Sequence, residues 1–418
     1  MSGSGDDGQR ERTSLIDINT VVDAQDVLQI SLSYCQGAYD VQSMQTLLIE
    51  FEAALEQMGR HCQEAPLLHR HIASDFELVG LSQDQLEKIE TLYPDLQDVL
   101  PLTALQAGLA YESQALPQGA EDPYHVQLVM TLKGELDVSA LEKAWRELIE
   151  RHAILRYAVV PAYIQSGLAV VRAGPMTIDF RVQRLDAHTN QGVEQPIEQQ
   201  IGQMQARDRT EPFDLEQGPL IRCRVALSDD AHAVIMIANH HILMDGWSMP
   251  VMFDELSKLY AANVQMNDAA LSLAFDWTAH LRWLATRSRA ESAAYWREYL
   301  REVEGPSRLD LSTPQPDRGM GEQLVTLSEE QTARIERYAR EHGLTQSTVL
   351  QGMYALLLGR LSGLNQLTIG AVRSGRGSEL SGIDRALGMF IETVPVYYTW
   401  QANDRASQWL KDQQVAQA

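Results

Sequence analysis

The stretch Asn239-His240-His241-Ile242-Leu243-Met244-Asp245-Gly246-Trp247-Ser248 concentrates the side chains of this sequence that could do chemistry. It lies where a nearly all-apolar strand, Ala231 to Asn239, hands over to a helix from Trp247 to about Ala262. Adjacent histidines on an extended chain point to opposite faces. Only one of them can face a given pocket. That argues against a metal site using both, and for one catalytic and one structural histidine. A neutral imidazole at a strand end accepts or holds a proton near pH 7. Asp245 sits at the turn, where it can fix the loop through an arginine, and Gly246 permits a tight backbone there. Backbone N–H groups at the following helix start can stabilise a developing oxyanion. The same residues also fit a satisfied pair of core histidines beside a helix-capping aspartate, and taken alone they leave both readings open.

The elements that must hold this loop alternate between the two periodicities. Val27 to Tyr34 alternates like a half-buried strand. Val41 to Cys62 carries Met44, Leu47, Leu48, Phe51, Leu55 and Met58 at helical spacing. One strand and one helix cannot bury their own apolar faces, so they need a partner. Residues 63 to 96 read as a linker with one short helix, opened by a Ser82/Gln85 capping box. From about 97 onward strands and helices alternate. Val126 to Lys133 is a strand, Asp137 caps a helix running to about His152, and Leu155 to Val160 is strand-like. Ala231 to Asn239 is apolar enough to be central and covered on both faces. A Pro- and Gly-containing connector, 305–321, leads to helices at 328–342 and 345–361, closed and capped by Gly343 and Thr345. Strand-like runs at 367–372 and 386–398 and a helix over 406–418 follow.

Composition narrows the function classes. The 418 residues suffice for two or three cores. Lys and Arg number 34 against 57 Asp and Glu, a formal net charge of −23. A surface that acidic repels phosphate, which argues against nucleic acid and an anionic membrane as partners. Three cysteines without a Cys-x-x-Cys pair, and a polar start with no apolar signal core, read as a cytoplasmic protein with reduced thiols. Cys223 reads as a core thiol rather than a nucleophile.

The string HHILMDGWS resembles the His-His-x-x-x-Asp-Gly signature of the condensation domains of nonribosomal peptide synthetases. Four further segments resemble that family's motifs in the right order. They are Val99 to Leu109 (VLPLTALQAGL), Arg151 to Arg156 (RHAILR), Ala274 to Leu284 (AFDWTAHLRWL, a weaker match) and Leu387 to Pro395 (LGMFIETVP). Glu392 departs from the family's usual Asn.

The resemblance implies an α/β chain with a two-lobed, chloramphenicol-acetyltransferase-like fold and an incomplete second lobe. Residues 1–14 are then a disordered leader. Residues 15–96 are the tail of a preceding condensation- or epimerization-like domain plus linker. The N-terminal lobe spans 97–270, and 271–418 is a partial C-terminal lobe. The implied reaction joins a donor peptidyl thioester to the amine of an acceptor aminoacyl thioester. Both groups ride on 4'-phosphopantetheine arms of upstream and downstream peptidyl carrier proteins, beside neighbouring synthetase domains, and the chain itself binds no cofactor. The implied catalytic residues are His241, Asp245 and Gly246. His240, Arg156, Arg151 and Trp247 are structural, with an arginine of RHAILR holding Asp245, Arg156 rather than Arg151. Gly-Trp-Ser after the signature and the Pro-Leu-Thr form of the first motif resemble the subtype that follows an epimerization domain and takes a D-residue donor. An epimerization domain, an acyl-CoA-dependent acyltransferase of the same superfamily, and an inactive fragment of a broken synthetase are the competing expectations.

Overall fold

The computed structural model describes residues 14–23, 25, 27–64, 71–117, 119–160, 167–172, 176, 178–185, 197–228, 232–303, 305, 307, 323–377 and 379–417. The expected leader, up to residue 13, and most of the expected 305–321 connector lie outside them. The chain divides into two compact units, Met1–Asp75 and Phe76–Ala418.

In the first unit, β1 (Ile16–Val22) and β2 (Leu28–Tyr34) form an antiparallel two-stranded sheet. Asp23 shapes the turn, its carboxylate accepting the N–H groups of Gln25 and Val27 at 2.9 and 3.0 Å. β2 matches the strand expected from alternation. β1, whose Asp17, Asn19 and Thr20 dilute its pattern, was not expected. Helix α1 (Val41–Glu64) follows, its first turn closed by Asp40, which accepts the Ser43 N–H at 2.9 Å.

The second unit opens with α2 (Gln83–Leu92), which starts on the expected Ser82/Gln85 capping box. Next come β3 (Leu96–Pro101), α3 (Ala104–Gln114), β4 (His125–Lys133) and α4 (Val138–Arg151). Asp137 caps α4 by accepting the Ala140 N–H at 2.9 Å. After a 3-10 turn at Ala153–Arg156 come β5 (Tyr157–Val159), β6 (Leu168–Arg172), β7 (Asp179–Leu185), α5 (Ile197–Arg209), β8 (Ile221–Ser228), β9 (His232–His240) and α6 (Ser248–Gln265).

Two sheets result, with strand orders β3-β6-β5 and β4-β9-β8-β7. β9 is internal and covered on both faces. Ile235 and Ile237 join the main core under α4 and α6, whereas Val234 and Met236 meet Met204 of α5. The apolar run expected to be central is so because its alternate residues feed two different cores.

Residues 76–96 pack as an integral layer, where a linker was expected. Phe76, Leu86, Ile89 and Tyr93 form a core with Val99, Val160, Leu168 and Val170 on one face of the β3-β6-β5 sheet. Leu86 and Ile89 are fully buried, and each such side chain contributes about 1.5–3 kcal/mol. The apolar residues of this short segment are split by Gly80, the polar run Ser82–Gln85 and Pro94, which made it resemble a connector.

The remaining elements are α7 (Trp277–Ala285), α8 (Arg289–Tyr299), α9 (Glu329–His342), α10 (Gln346–Ser362), β10 (Gln366–Arg373), β11 (Glu392–Thr399) and α11 (Ala406–Ala416). Gly343 ends α9 at φ +64°, and Thr345 caps α10. β10 and β11 pair antiparallel and share a core with α9, α10 and α11. Residues 386–391 were expected to start the β11 strand. They instead run irregularly, and Leu387, Met389 and Phe390 enter the main core of the first sheets. Trp277 and Leu281 of α7 do the same. The division at 270/271 expected from the resemblance is therefore bridged by two segments from beyond it.

Candidate active site

The loop after β9 is held on its inner side by backbone and buried polar groups. The strand ends at His240, whose N–H donates to Leu220 O at 2.9 Å, and His241 opens the turn, its N–H donating to Tyr124 O at 2.8 Å. The two rings differ in burial. The His240 ring is fully buried. Its Nδ1 accepts the Ile242 N–H at 3.1 Å, so the neutral ring carries its proton on Nε2. Nε2 faces Ser113 Oγ at 3.0 Å and Asp122 Oδ2 at 3.3 Å. Burial pushes the His240 pKa down to about 4 against the opposing pull of Asp122. A histidine so committed is a structural neutral donor. His241 is half-buried, and its Nδ1 has no hydrogen-bond partner among the described residues.

Asp245 is 1% exposed and its carboxylate is saturated. Oδ1 accepts from Ser248 N–H (3.0 Å), Ser248 Oγ (3.1 Å) and Arg376 Nη2 (3.1 Å). Oδ2 accepts from Phe390 N–H (3.0 Å), Ile391 N–H (3.2 Å) and Arg376 Nη1 (3.3 Å). This explains why residues 386–391 are not strand: their N–H groups serve Asp245 and Ser248 rather than a ladder. Ser248 Oγ also accepts the Gly388 N–H at 3.1 Å.

The arginine that holds Asp245 is thus Arg376, not Arg156 or Arg151. Arg156 Nη1 instead bonds Arg172 O at 2.6 Å and Gln97. Arg151 bonds Glu255 on α6 at 2.9 Å, and His152 reaches the same carboxylate at 2.6 Å. Burial raises the Glu255 pKa, but the bonds from His152 and Arg151 outweigh it and hold the carboxyl below its ordinary value. The RHAILR segment ends α4 against the flank of α6, so Arg151 and His152 fix that helix, Arg156 ties the segment to Gln97 and Arg172, and none of the three bonds Asp245. Arg376 had a faint sequence signal. It sits between Gly375 and Gly377. Gly375 is at φ +63°, where a Cβ would fall 1.7 Å from Phe390 O.

Gly246 and Trp247 lie on the open side. Gly246 is exposed, outside the left-handed region, and a Cβ there would meet nothing within 4 Å. It provides clearance rather than a tight turn. Trp247 is 50% exposed. The first positions of α6 do not present the expected oxyanion donors. Ser248 N–H is bound to Asp245, Met249 N–H points to Gly246 O at 3.4 Å, and residue 250 is proline.

The other motif-like segments converge on the same loop. Gln106 of the first sends Nε2 to Ile242 O at 3.0 Å. Trp277 and His280 of the fourth pack against Phe390 of the fifth, with ring centroids 4.9 and 4.8 Å away. Gly388 is required there, because a Cβ would meet the Trp277 ring at 2.3 Å. Glu392 is exposed. Cys223 is fully buried, and burial pushes its thiol up to about 12, so it is a core residue.

The sequence profile of the Condensation domain matches residues 96–417. The chain is 30% identical over 415 residues, 98% of its length, to a linear gramicidin synthase polypeptide of Brevibacillus parabrevis. Two companion polypeptides of the same synthase are each 31% identical over 414 residues. The chain spans only 5–8% of the length of these three relatives. Among solved structures, the first condensation domain of the calcium-dependent antibiotic synthetase aligns at TM-score 0.59 and 19% identity, over 76% of this chain and 72% of that one. The epimerization domain from the third module of tyrocidine synthetase B aligns at TM-score 0.63 and 19% identity, over 76% and 70%. Both likenesses are of fold, and no helix among the described residues is long and apolar enough to cross a membrane.

Proposed function

This chain belongs to the condensation-domain family, and from that premise we propose that it forms an amide bond between two carrier-bound groups, with His241 at the reacting centre. The observation that carries the proposal is the contrast within the signature. His240, Asp245 and Ser248 are buried and bonded, while His241 is half-buried with an uncommitted Nδ1. His241 Nδ1 is itself buried, so the partly exposed ring reaches the open side through its other atoms, and beside an otherwise saturated loop it is the side chain left for chemistry.

The reaction asks little of the protein. The acceptor's α-amine attacks the donor thioester carbonyl, the C–N bond forms, the C–S bond breaks, and the upstream carrier thiol leaves with a proton. The thioester is activated already, and tethering two reactants raises their effective concentration. An α-amine has a pKa of about 7.7–8.0, so much of it carries an extra proton at neutral pH. His241 takes that proton or orients the amine during attack. Asp245 acts at a distance, by fixing the loop to Arg376 and residues 388–391. The open space at Gly246 leaves room beside the ring for an incoming arm.

The substrates in this proposal ride on 4'-phosphopantetheine of an upstream and a downstream carrier protein, and the donor ends in a D-residue. The first unit, β1, β2 and α1, is assigned to the end of a domain that precedes this one. The fold likeness to an epimerization domain supports a second reading. One assay separates them. Carrier proteins loaded with donor and acceptor groups are offered beside acyl-CoA, and solvent deuterium at the substrate α-carbon is followed in parallel. Amide product from the carriers, with D-ended donors preferred and no deuterium uptake, is the expected result. Deuterium uptake without amide product favours epimerization, and turnover of acyl-CoA alone overturns the carrier-based proposal.

A further inference from the structure

Gln106 is fully buried at the start of α3 and is used at both ends. With Thr103 it completes a capping box. Its N–H donates to Thr103 Oγ1 at 3.3 Å, and its Oε1 accepts the Thr103 N–H at 3.1 Å. A capping box needs only that oxygen, which Glu supplies equally well. The Nε2 end is surplus to the cap, and it donates to the carbonyl of Ile242, the residue after His241. Three successive peptide groups around His241 are thus each tied at one point. His241 N–H goes to Tyr124 O, Ile242 N–H to His240 Nδ1, and Ile242 C=O to Gln106.

We infer that Gln106 is a positioning residue for His241, its carboxamide N–H holding the Ile242 carbonyl and so setting where the imidazole meets the acceptor amine. The inference rests on the amide-forming reading above. Glu at this position would still cap α3 but would set a carboxylate against a carbonyl. Met would fill the space and donate nothing. The reaction is sensitive to such displacements, since bound reactants must be held close to attack geometry.

Amide formation is measured with both carriers loaded, for the wild-type chain, Gln106→Glu, Gln106→Met and Thr103→Ala. Gln106→Met is expected to lose about tenfold in kcat, the effect of one buried hydrogen bond, with KM for each carrier unchanged and no new pH dependence. Gln106→Glu is expected to lose as much or more at pH about 8, and to recover relative to wild type as pH falls. Burial raises its carboxyl pKa, and the protonated form donates again. Thr103→Ala should lower the melting temperature without that acid recovery. Wild-type kcat in Gln106→Met overturns the inference. So do equal, pH-independent losses in the Glu and Met variants, the mark of a merely structural site. If Gln106→Glu fails to fold, the kcat-against-KM split of Gln106→Met decides. A readout independent of turnover is the His241 imidazole NMR signal, compared with wild type at each pH. It should be displaced in Gln106→Met, with the His125 signal unmoved. Absence of amide product in the wild type would defeat the functional reading, whereas an undisplaced His241 signal would defeat the positioning role.

Discussion

The inner and outer sides of the 240–248 loop are built in opposite ways. On the inner side, His240, Asp245 and Ser248 are buried, and each spends its polar atoms on named partners. On the outer side, His241 is partly exposed, Gly246 faces open space, and Trp247 is half exposed. Residues one apart in sequence therefore serve different ends. The inner set fixes the backbone, and the outer set is what that backbone presents. The lesson concerns Asp245 most of all. Its position in the signature suggests chemistry, but its six accepted bonds leave it no capacity for a substrate, and four of them come from residues 131 to 146 positions further along the chain.

The largest stability effect should come from breaking the inner side. Asp245→Ala leaves Arg376 buried and unpaired, with its side chain only 6% exposed. Removing one partner of a buried ion pair costs about 3–5 kcal/mol, whereas replacing both by apolar residues costs less. Urea unfolding should therefore rank Asp245→Ala below the double variant Asp245→Leu/Arg376→Leu. The reverse order would mean that the pair contributes little to fixing the loop.

Acid should loosen the same side. Burial holds His240 at about 4, and burial, with the nearby Arg376 charge, holds His280 at about 4. An unfolded histidine titrates at about 6.5. Both folded values are depressed, so the native state binds fewer protons than the unfolded state between the two. Stability is full above pH about 6.5 and falls as pH drops towards about 4, by as much as about 3 kcal/mol per histidine. His280→Phe, which keeps an aromatic ring against Trp277 and Phe390, should flatten that fall. An unchanged acid profile in that variant would contradict the assignment of His280.

Two glycines sharpen the comparison at a smaller scale. Gly388→Ala drives a methyl into the Trp277 ring and should cost about 1–3 kcal/mol by overpacking. Gly246→Ala should leave stability within about 0.5 kcal/mol, because the space is empty. Any activity lost in Gly246→Ala then reflects crowding of the open side. Equal melting temperatures for the two variants would erase the distinction between the sides.

Much of this was legible before the structure. The strand into His240, the caps at Ser82, Asp137 and Thr345, and the ordered motif-like segments all carry short-range patterns, and each appears in the fold. The different surroundings of His240 and His241, one fully buried and one partly exposed, agree with the expectation of one structural and one open histidine. What escaped depends on long-range partners. Arg376 lies 131 residues from Asp245, and nothing local to RHAILR tells that its arginine and histidine turn towards Glu255. The 386–391 run is apolar enough to pass for strand until its N–H groups are seen bound to Asp245 and Ser248. Gly246 invited a turn argument that its ordinary backbone does not need.

The most direct test of the account is His241→Ala, assayed with both carrier proteins loaded and compared with His240→Ala in the same preparation. The account predicts that His241→Ala abolishes or strongly reduces amide formation with an almost unchanged melting temperature. His240→Ala should lose stability as well, by about 1–3 kcal/mol, since Ser113, Asp122 and the Ile242 N–H lose their partner. If His241 takes the proton, its loss shrinks as pH rises past the amine pKa of about 8, and if it orients the amine, the loss stays flat. Wild-type turnover in His241→Ala would contradict the central claim.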